Sequence, residues 1–315
     1  MKRSFCIALC ICLLSLYTIE SLPAVQAESA DKPTVVATIF APYDFARVIA
    51  GGLADVKMLL PPGSESHSFE PTPRDIITIQ NSDVFIYVGG ESDDWISSIL
   101  SSMDTSDMRI VTLMDCVEAV EEELVEGMEA EEEGEEEEEA EYDEHVWTSP
   151  RNAMMIADKL AAALIEADPA NAKAYRANAD AYLLELDALD AAFREVVDGA
   201  ARKTIVFGDR FPFRYFADAY GLSYFAAFPG CSTETEPSAA TIKFLIDKIN
   251  DEQIPVVFHI ELSNGRMADA ISESTGAAVR LLHSAHNVTK ADFEAGITYL
   301  SIMQANIEAL REALN

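Results

Sequence analysis

Cysteine, histidine and basic charge are all scarce in this chain. Its 315 residues hold five cysteines and five histidines. Three cysteines, Cys6, Cys10 and Cys12, lie near the N-terminus, which leaves only Cys116 and Cys231 beyond it. An oxidising compartment would let those two pair, but two cysteines give no spacing pattern and a disulfide is not favoured. Lys and Arg number 22 against 55 Asp and Glu, for a formal net charge of −33. That balance excludes nucleic acid, whose phosphates would be repelled, and suits a cationic ligand. The acidity is concentrated: positions 121 to 144 carry sixteen Asp or Glu and no Lys or Arg, and taking those sixteen from −33 leaves −17. No H-E-x-x-H pair occurs, so the commonest signature of a secreted zinc hydrolase is missing.

Long apolar runs are scarce as well. The one candidate, Phe5 to Tyr17, is too short for a comfortable membrane span. With Lys2 and Arg3 before it and Val25-Gln26-Ala27 after it, it reads as a secretory signal over residues 1–27, cleaved near Ala27. Cys10 and Cys12 lie inside the apolar run in a weak setting for lipidation, so simple cleavage is favoured. The expected protein is exported, to a periplasm or cell surface.

What is present is an alternation. Apolar runs at Thr34–Phe40, Val56–Leu60, Val84–Val88 and Ile110–Leu113 are separated by amphipathic stretches at Tyr43–Ala50, Arg74–Asn81 and Asp93–Ser102. The pattern resumes after position 200, with strands expected at Thr204–Phe207, Tyr224–Phe228, Pro255–Glu261 and Ala278–Leu282. Helices are expected there near Arg214–Tyr220, Pro237–Asn250, Arg266–Ser274 and Lys290–Leu314. Strands without clean alternation, separated by helices, predict parallel sheets covered on both faces. Between the two series, Tyr175, Tyr182, Leu186, Leu189, Phe193 and Val196 repeat at helical spacing, with no Gly or Pro from 170 to 198. The fold class is α/β: a lobe at 28–168, a long linking helix within 169–200, and a second lobe at 201–315. The acidic tract at 118–144 is expected to be a disordered loop, because its like charges repel and it can bury no core. Deleting 121–144 should then leave any tight site intact.

Four side chains stand out. His67 lies in G-S-E-S-H-S-F-E-P-T-P, after an apolar run and before a helix opening at Pro73. His145 lies in D-E-H-V-W-T-S-P, Asp209 in V-F-G-D-R-F-P-F and His283 in R-L-L-H-S-A-H. Two come from each half, mostly at strand ends, where parallel sheets collect ligands. Three imidazoles and a carboxylate make a tetrahedral zinc shell with little room for a catalytic water. Taken singly, each has a plainer reading: a lone histidine is more often a hydrogen-bonded residue, and Asp209 has Arg210 and Arg214 for ion pairs. Their shared topological position raises all four together. His259 sits mid-strand and reads as a sheet residue, while His286 is near enough to replace His283.

The segments H-S-F-E-P-T-P, D-E-H-V-W-T-S-P-R-N, E-T-E-P-S-A and the final L-L-H, in that order, resemble the ZnuA-like zinc- and manganese-binding solute-binding proteins of bacterial ABC importers. The resemblance covers nearly the whole chain after the signal. It implies two α/β lobes, a rigid linking helix, one metal in the cleft between them, and delivery to a membrane ABC permease by a monomeric, non-enzymatic carrier. Family ligands carry over onto His67 and His145. Asp209 stands near the third, with irregular local spacing, and His283 stands where the fourth is usually Asp. The third imidazole favours zinc, with manganese the runner-up. A secreted zinc-dependent hydrolase, with Glu65, Glu70 or Glu261 as base, and a surface adhesion protein are the competing readings.

Overall fold

The structure is a computed structural model that describes residues 32–65, 69–128, 141–232 and 237–315. The expected signal segment, His67, the Glu234–Glu236 end of one motif and positions 129–140 of the acidic tract lie outside the described residues.

In the first half, strands β1 (Thr34–Ala37), β2 (Asp55–Met58), β3 (Val84–Tyr87) and β4 (Arg109–Thr112) form one parallel sheet in the order β2-β1-β3-β4. Helices α1 (Phe40–Ala50), α2 (Pro73–Gln80) and α3 (Asp94–Ser101) connect them. Strand β1 stops short of the expected Phe40 because α1 already begins there. Pro42 falls in that helix's first turn, where a missing N–H costs nothing. Gly51 ends α1 in the left-handed region at φ 57°, donating to Arg47 O. A reciprocal cap between Thr72 and Asp75, with Pro73 as the first helical residue, starts α2 where the sequence places it.

Two long helices follow, α4 (Pro150–Ala167) and α5 (Ala172–Asp198). The 27 residues of α5 span about 40 Å at the usual rise. Its predicted stripe, Tyr175, Tyr182, Leu186, Leu189, Phe193 and Val196, is buried. This is the expected linking helix between the two series of strands.

The second half is built from short parallel pairs: β5 (Thr204–Val206) with β7 (Ser223–Phe225), β6 (Arg210–Phe211) with β8 (Phe228–Pro229), and β9 (Val256–His259) with β10 (Ala278–Leu281). A parallel bridge from Phe207 to Phe258 ties the first pair to the last. Around them lie α6 (Arg214–Tyr220), α7 (Ala239–Glu252), α8 (Arg266–Thr275), α9 (Lys290–Glu294) and α10 (Tyr299–Leu314). Where one helix was expected from Lys290 to Leu314, two form. Gly296 takes φ +75° and Thr298 caps the second, so the chain breaks between them. The largest apolar core runs unbroken from β1 through α4 and α5 to Leu314.

The acidic tract departs from expectation over part of its length. Residues 118–128 and 141–144 are folded onto the second half rather than disordered. Glu121 and Tyr142 form an antiparallel bridge. Tyr215 Oη takes the Val120 N–H and donates to Asp143 O, Glu123 pairs with Arg214 at 3.3 Å, and Glu122 accepts the Cys231 N–H. Charge repulsion argues for disorder only while the carboxylates lack partners, and Arg214, Tyr224 and the Cys231 N–H provide them. Cys116 and Cys231 are both free thiols. Among the described residues, no helix is long and apolar enough to cross a membrane.

Candidate metal centre

A small cleft opens at the carboxyl ends of the strands of both halves. Ser64 and Glu65 reach it from the first half, Arg210, Gly230 and Glu261 from the second, and the rings of His145 and His286 face it. The two imidazole centroids lie 5.4 Å apart at 81°.

His145 is buried and fixed on every side. Its N–H donates to Asp143 Oδ1 at 2.8 Å and its ring Nδ1 lies 3.3 Å from the same oxygen. A carboxylate on Nδ1 holds the proton there and keeps the Nε2 lone pair for a cation. The next turn is locked by Trp147, whose indole N–H donates to Ser284 O at 2.8 Å while its own carbonyl accepts from Tyr299 Oη. Gly230 closes the other face: a Cβ there would lie 2.9 Å from Phe211 O and 3.2 Å from the His145 ring.

His286 arrives by a strained route. Ala285 adopts φ +59° and Leu262, in the opposing wall, φ +60°. Left-handed backbone at such residues costs on the order of 1 kcal/mol each and persists only where surrounding contacts impose it. Here Glu261 imposes it. Its carboxylate accepts from Ser284 N–H at 2.7 Å, from Ser284 Oγ and from His286 N–H at 3.1 Å.

The site's field is negative. Burial pushes the Glu122 and Glu144 carboxyls above their usual range. Burial also works against a charged His145, but Asp143, Glu144 and Glu122 outweigh it and raise the ring's pKa. A cation entering the cleft meets the same potential.

Of the four residues singled out from sequence, His145 lines the cleft. The chain before His67 reaches it at Ser64 and Glu65, with His67 itself outside the described residues. Asp209 and His283 do not line it. Asp209 is turned into the backbone, accepting Arg210 N–H at 2.9 Å and Ile260 N–H at 3.4 Å. His283 Nδ1 accepts Ala285 N–H at 3.0 Å, and the ring lies 3.4 Å from Glu261. His259 keeps to its strand, its ring against Ile260 O at 3.0 Å. His286, Glu261 and Arg210 take the cleft positions; the second histidine of L-L-H-S-A-H was the one visible signal. Among the described residues, no three His, Cys, Asp or Glu side chains stand close enough to hold a metal.

A family profile described as zinc-uptake complex component A, periplasmic (ZnuA), matches residues 35–313. The chain belongs to the ZnuA family. It is a zinc-uptake solute-binding protein of that family and not an enzyme. The high-affinity zinc uptake system protein ZnuA of Bacillus subtilis (strain 168) is 32% identical over 313 residues, covering 98% of this chain and 96% of that protein. The zinc-binding lipoprotein AdcA of Streptococcus pneumoniae is 29% identical over 315 residues, 99% of this chain but only 61% of AdcA. The crystal structure of the Zn(II)-bound ZnuA-like domain of AdcA superposes with a TM-score of 0.72 at 28% identity, over 90% of this chain and 99% of that one. The hydrolase reading is thereby set aside.

Proposed function

We propose that this protein captures zinc outside the cytoplasmic membrane in the cleft between its two halves and hands it to an ABC permease. The observation that carries the site is the facing pair His145 and His286, set 5.4 Å apart in a cleft that Glu65 and Glu261 also line. The donors in this reading are His145 and His286, which line the cleft, together with His67; Glu261 braces the turn that carries His286. Asp209 becomes the residue that holds the β5–β6 turn, and His283 the residue that holds Ala285. Imidazole donors favour zinc over manganese. Zinc is the cargo, so tight binding must coexist with release at the permease.

The acidic residues that neighbour His145 (Asp143, Glu144 and Glu122) then supply negative potential rather than ligands, since glutamates alone bind divalent ions loosely. Export through a cleaved signal at 1–27 supplies the compartment in which such a carrier works. Metal analysis of tag-free protein, followed by zinc and manganese competition, tests the assignment. One zinc per chain that manganese displaces poorly is expected. Tight manganese with weak zinc would overturn the choice of metal, and wild-type affinity in His145→Ala would overturn the site.

A further inference from the structure

An arginine in the wall of a cleft that receives a cation is out of place on charge alone. Arg210 lines the same space as His145 and His286, and its side chain is only 12% exposed. Its backbone is fixed twice, by the pairing of Arg210 with Phe228 between β6 and β8 and by the Asp209 carboxylate on its N–H. The guanidinium is held from two sides. Nη2 lies 3.1 Å from Glu65 Oε2 and Nη1 3.5 Å from Glu65 Oε1, while Nη1 also donates to Ser232 O at 3.2 Å. Ser232 belongs to the second half and Glu65 to the first, so the fork-to-fork pair crosses the mouth between them.

The segment that carries Glu65 is anchored separately at its other end. Asn287 donates to Pro61 O at 2.9 Å and Ser64 O at 2.8 Å, and Gly63 N–H donates to Val288 O at 2.8 Å. Those bonds are neutral and Asn287 is buried. The ion pair is the charged, half-exposed end of the same attachment, with Glu65 44% exposed at the rim.

We propose that Glu65 and Arg210 form a clasp across the mouth of the metal cleft, setting the rate at which zinc enters and leaves without donating to it. The inference rests on the metal-centre reading above. Glu65 has two effects here: it ties the halves together and it neutralises a guanidinium that would otherwise repel the cargo. Arg210 is thus a positioning residue whose charge is tolerable only while paired. Removing Glu65 is worse than removing Arg210, because it leaves the positive charge in the cleft.

The test is the rate of zinc loss from the full-length loaded protein into excess chelator, followed by rapid mixing for wild type, Glu65→Gln, Arg210→Gln and the double variant, with melting curves of each. Partly exposed ion pairs of this kind are worth up to about fivefold. Arg210→Gln should speed release by about that factor, Glu65→Gln by more, and the double variant should match Arg210→Gln. Raising ionic strength to about 1 M, where the screening length falls to about 3 Å, should speed release from wild type but not from Arg210→Gln. Rates within twofold of wild type in both single variants would overturn the clasp, and so would a double variant equal to the product of the singles. His145→Ala in the same assay separates the two claims: if it holds zinc as wild type does, the metal centre itself is misplaced.

Discussion

Replacing His286 and His283 in turn asks which histidine of the L-L-H-S-A-H segment touches the metal. In His286→Ala the ring that faces His145 and Trp147 is lost, at 5.4 and 5.0 Å between centroids. The turn that presents it stays braced, because Glu261 holds it through backbone N–H and Ser284 contacts. The loss is therefore that of a donor. Changing a group that merely supports a ligand costs about 10- to 100-fold in metal affinity, so losing a donor should exceed about 100-fold.

His283→Ala removes the acceptor for Ala285 N–H and a 3.4 Å contact with Glu261. The backbone of residue 283 keeps both its anchors, since Asn306 Oδ1 accepts its N–H at 2.9 Å and Asn306 Nδ2 donates to its carbonyl at 2.8 Å. We expect less than about tenfold loss, the lower bound for a supporting group. Isothermal titration against a competing chelator of known affinity reads both variants on one scale. The reasoning fails if His283→Ala is the weaker binder of the two, or if His286→Ala binds within tenfold of wild type.

Gly230→Ala should weaken zinc binding and lower the melting temperature, because the new methyl meets the His145 ring and the backbone oxygen of Phe211; a variant with unchanged affinity would show that His145 has slack. Burial pushes the Asp93 carboxyl, beside the cleft in an adjoining cavity, up to about 7, against N–H bonds from Gly89 and Val88. Its folded form holds the proton more tightly than the unfolded form, so its contribution is present at low pH and is lost as pH rises from about 4 to about 7. Asp93→Asn should flatten that decline by up to about 1.4 kcal/mol per pH unit in denaturant titrations of zinc-free protein; an unchanged slope would count against the shift. Deleting 129–140 alone should leave zinc affinity intact. Deleting 121–144 should not, because it also removes Glu122, Asp143 and Glu144, which neighbour His145; equal affinities in the two deletions would refute that distinction.

Local pattern was enough for much of this. Apolar runs separated by amphipathic stretches dictate parallel strands with covering helices, and such sheets gather ligands at their carboxyl ends. A stripe at helical spacing over residues 175–196 with no Gly or Pro dictates a long helix, observed as α5. D-E-H-V-W-T-S-P puts an acid two residues before His145, near enough to hold its backbone N–H and set its tautomer. These are short-range matters, and sequence order carries them.

The remainder was decided by contacts between residues far apart in the chain. The histidine that faces His145 depends on a left-handed Ala285 that no local preference favours and that Glu261, 25 positions before His286, enforces. Arg210 enters the cleft because Glu65, 145 positions away, stands across from it. The acidic tract folds at its two ends because Arg214, Tyr215 and the Cys231 N–H come to it through the tertiary structure. Composition sees sixteen carboxylates and predicts repulsion; only the assembled fold supplies their partners, and electrostatic energy is set by distance in space rather than along the chain.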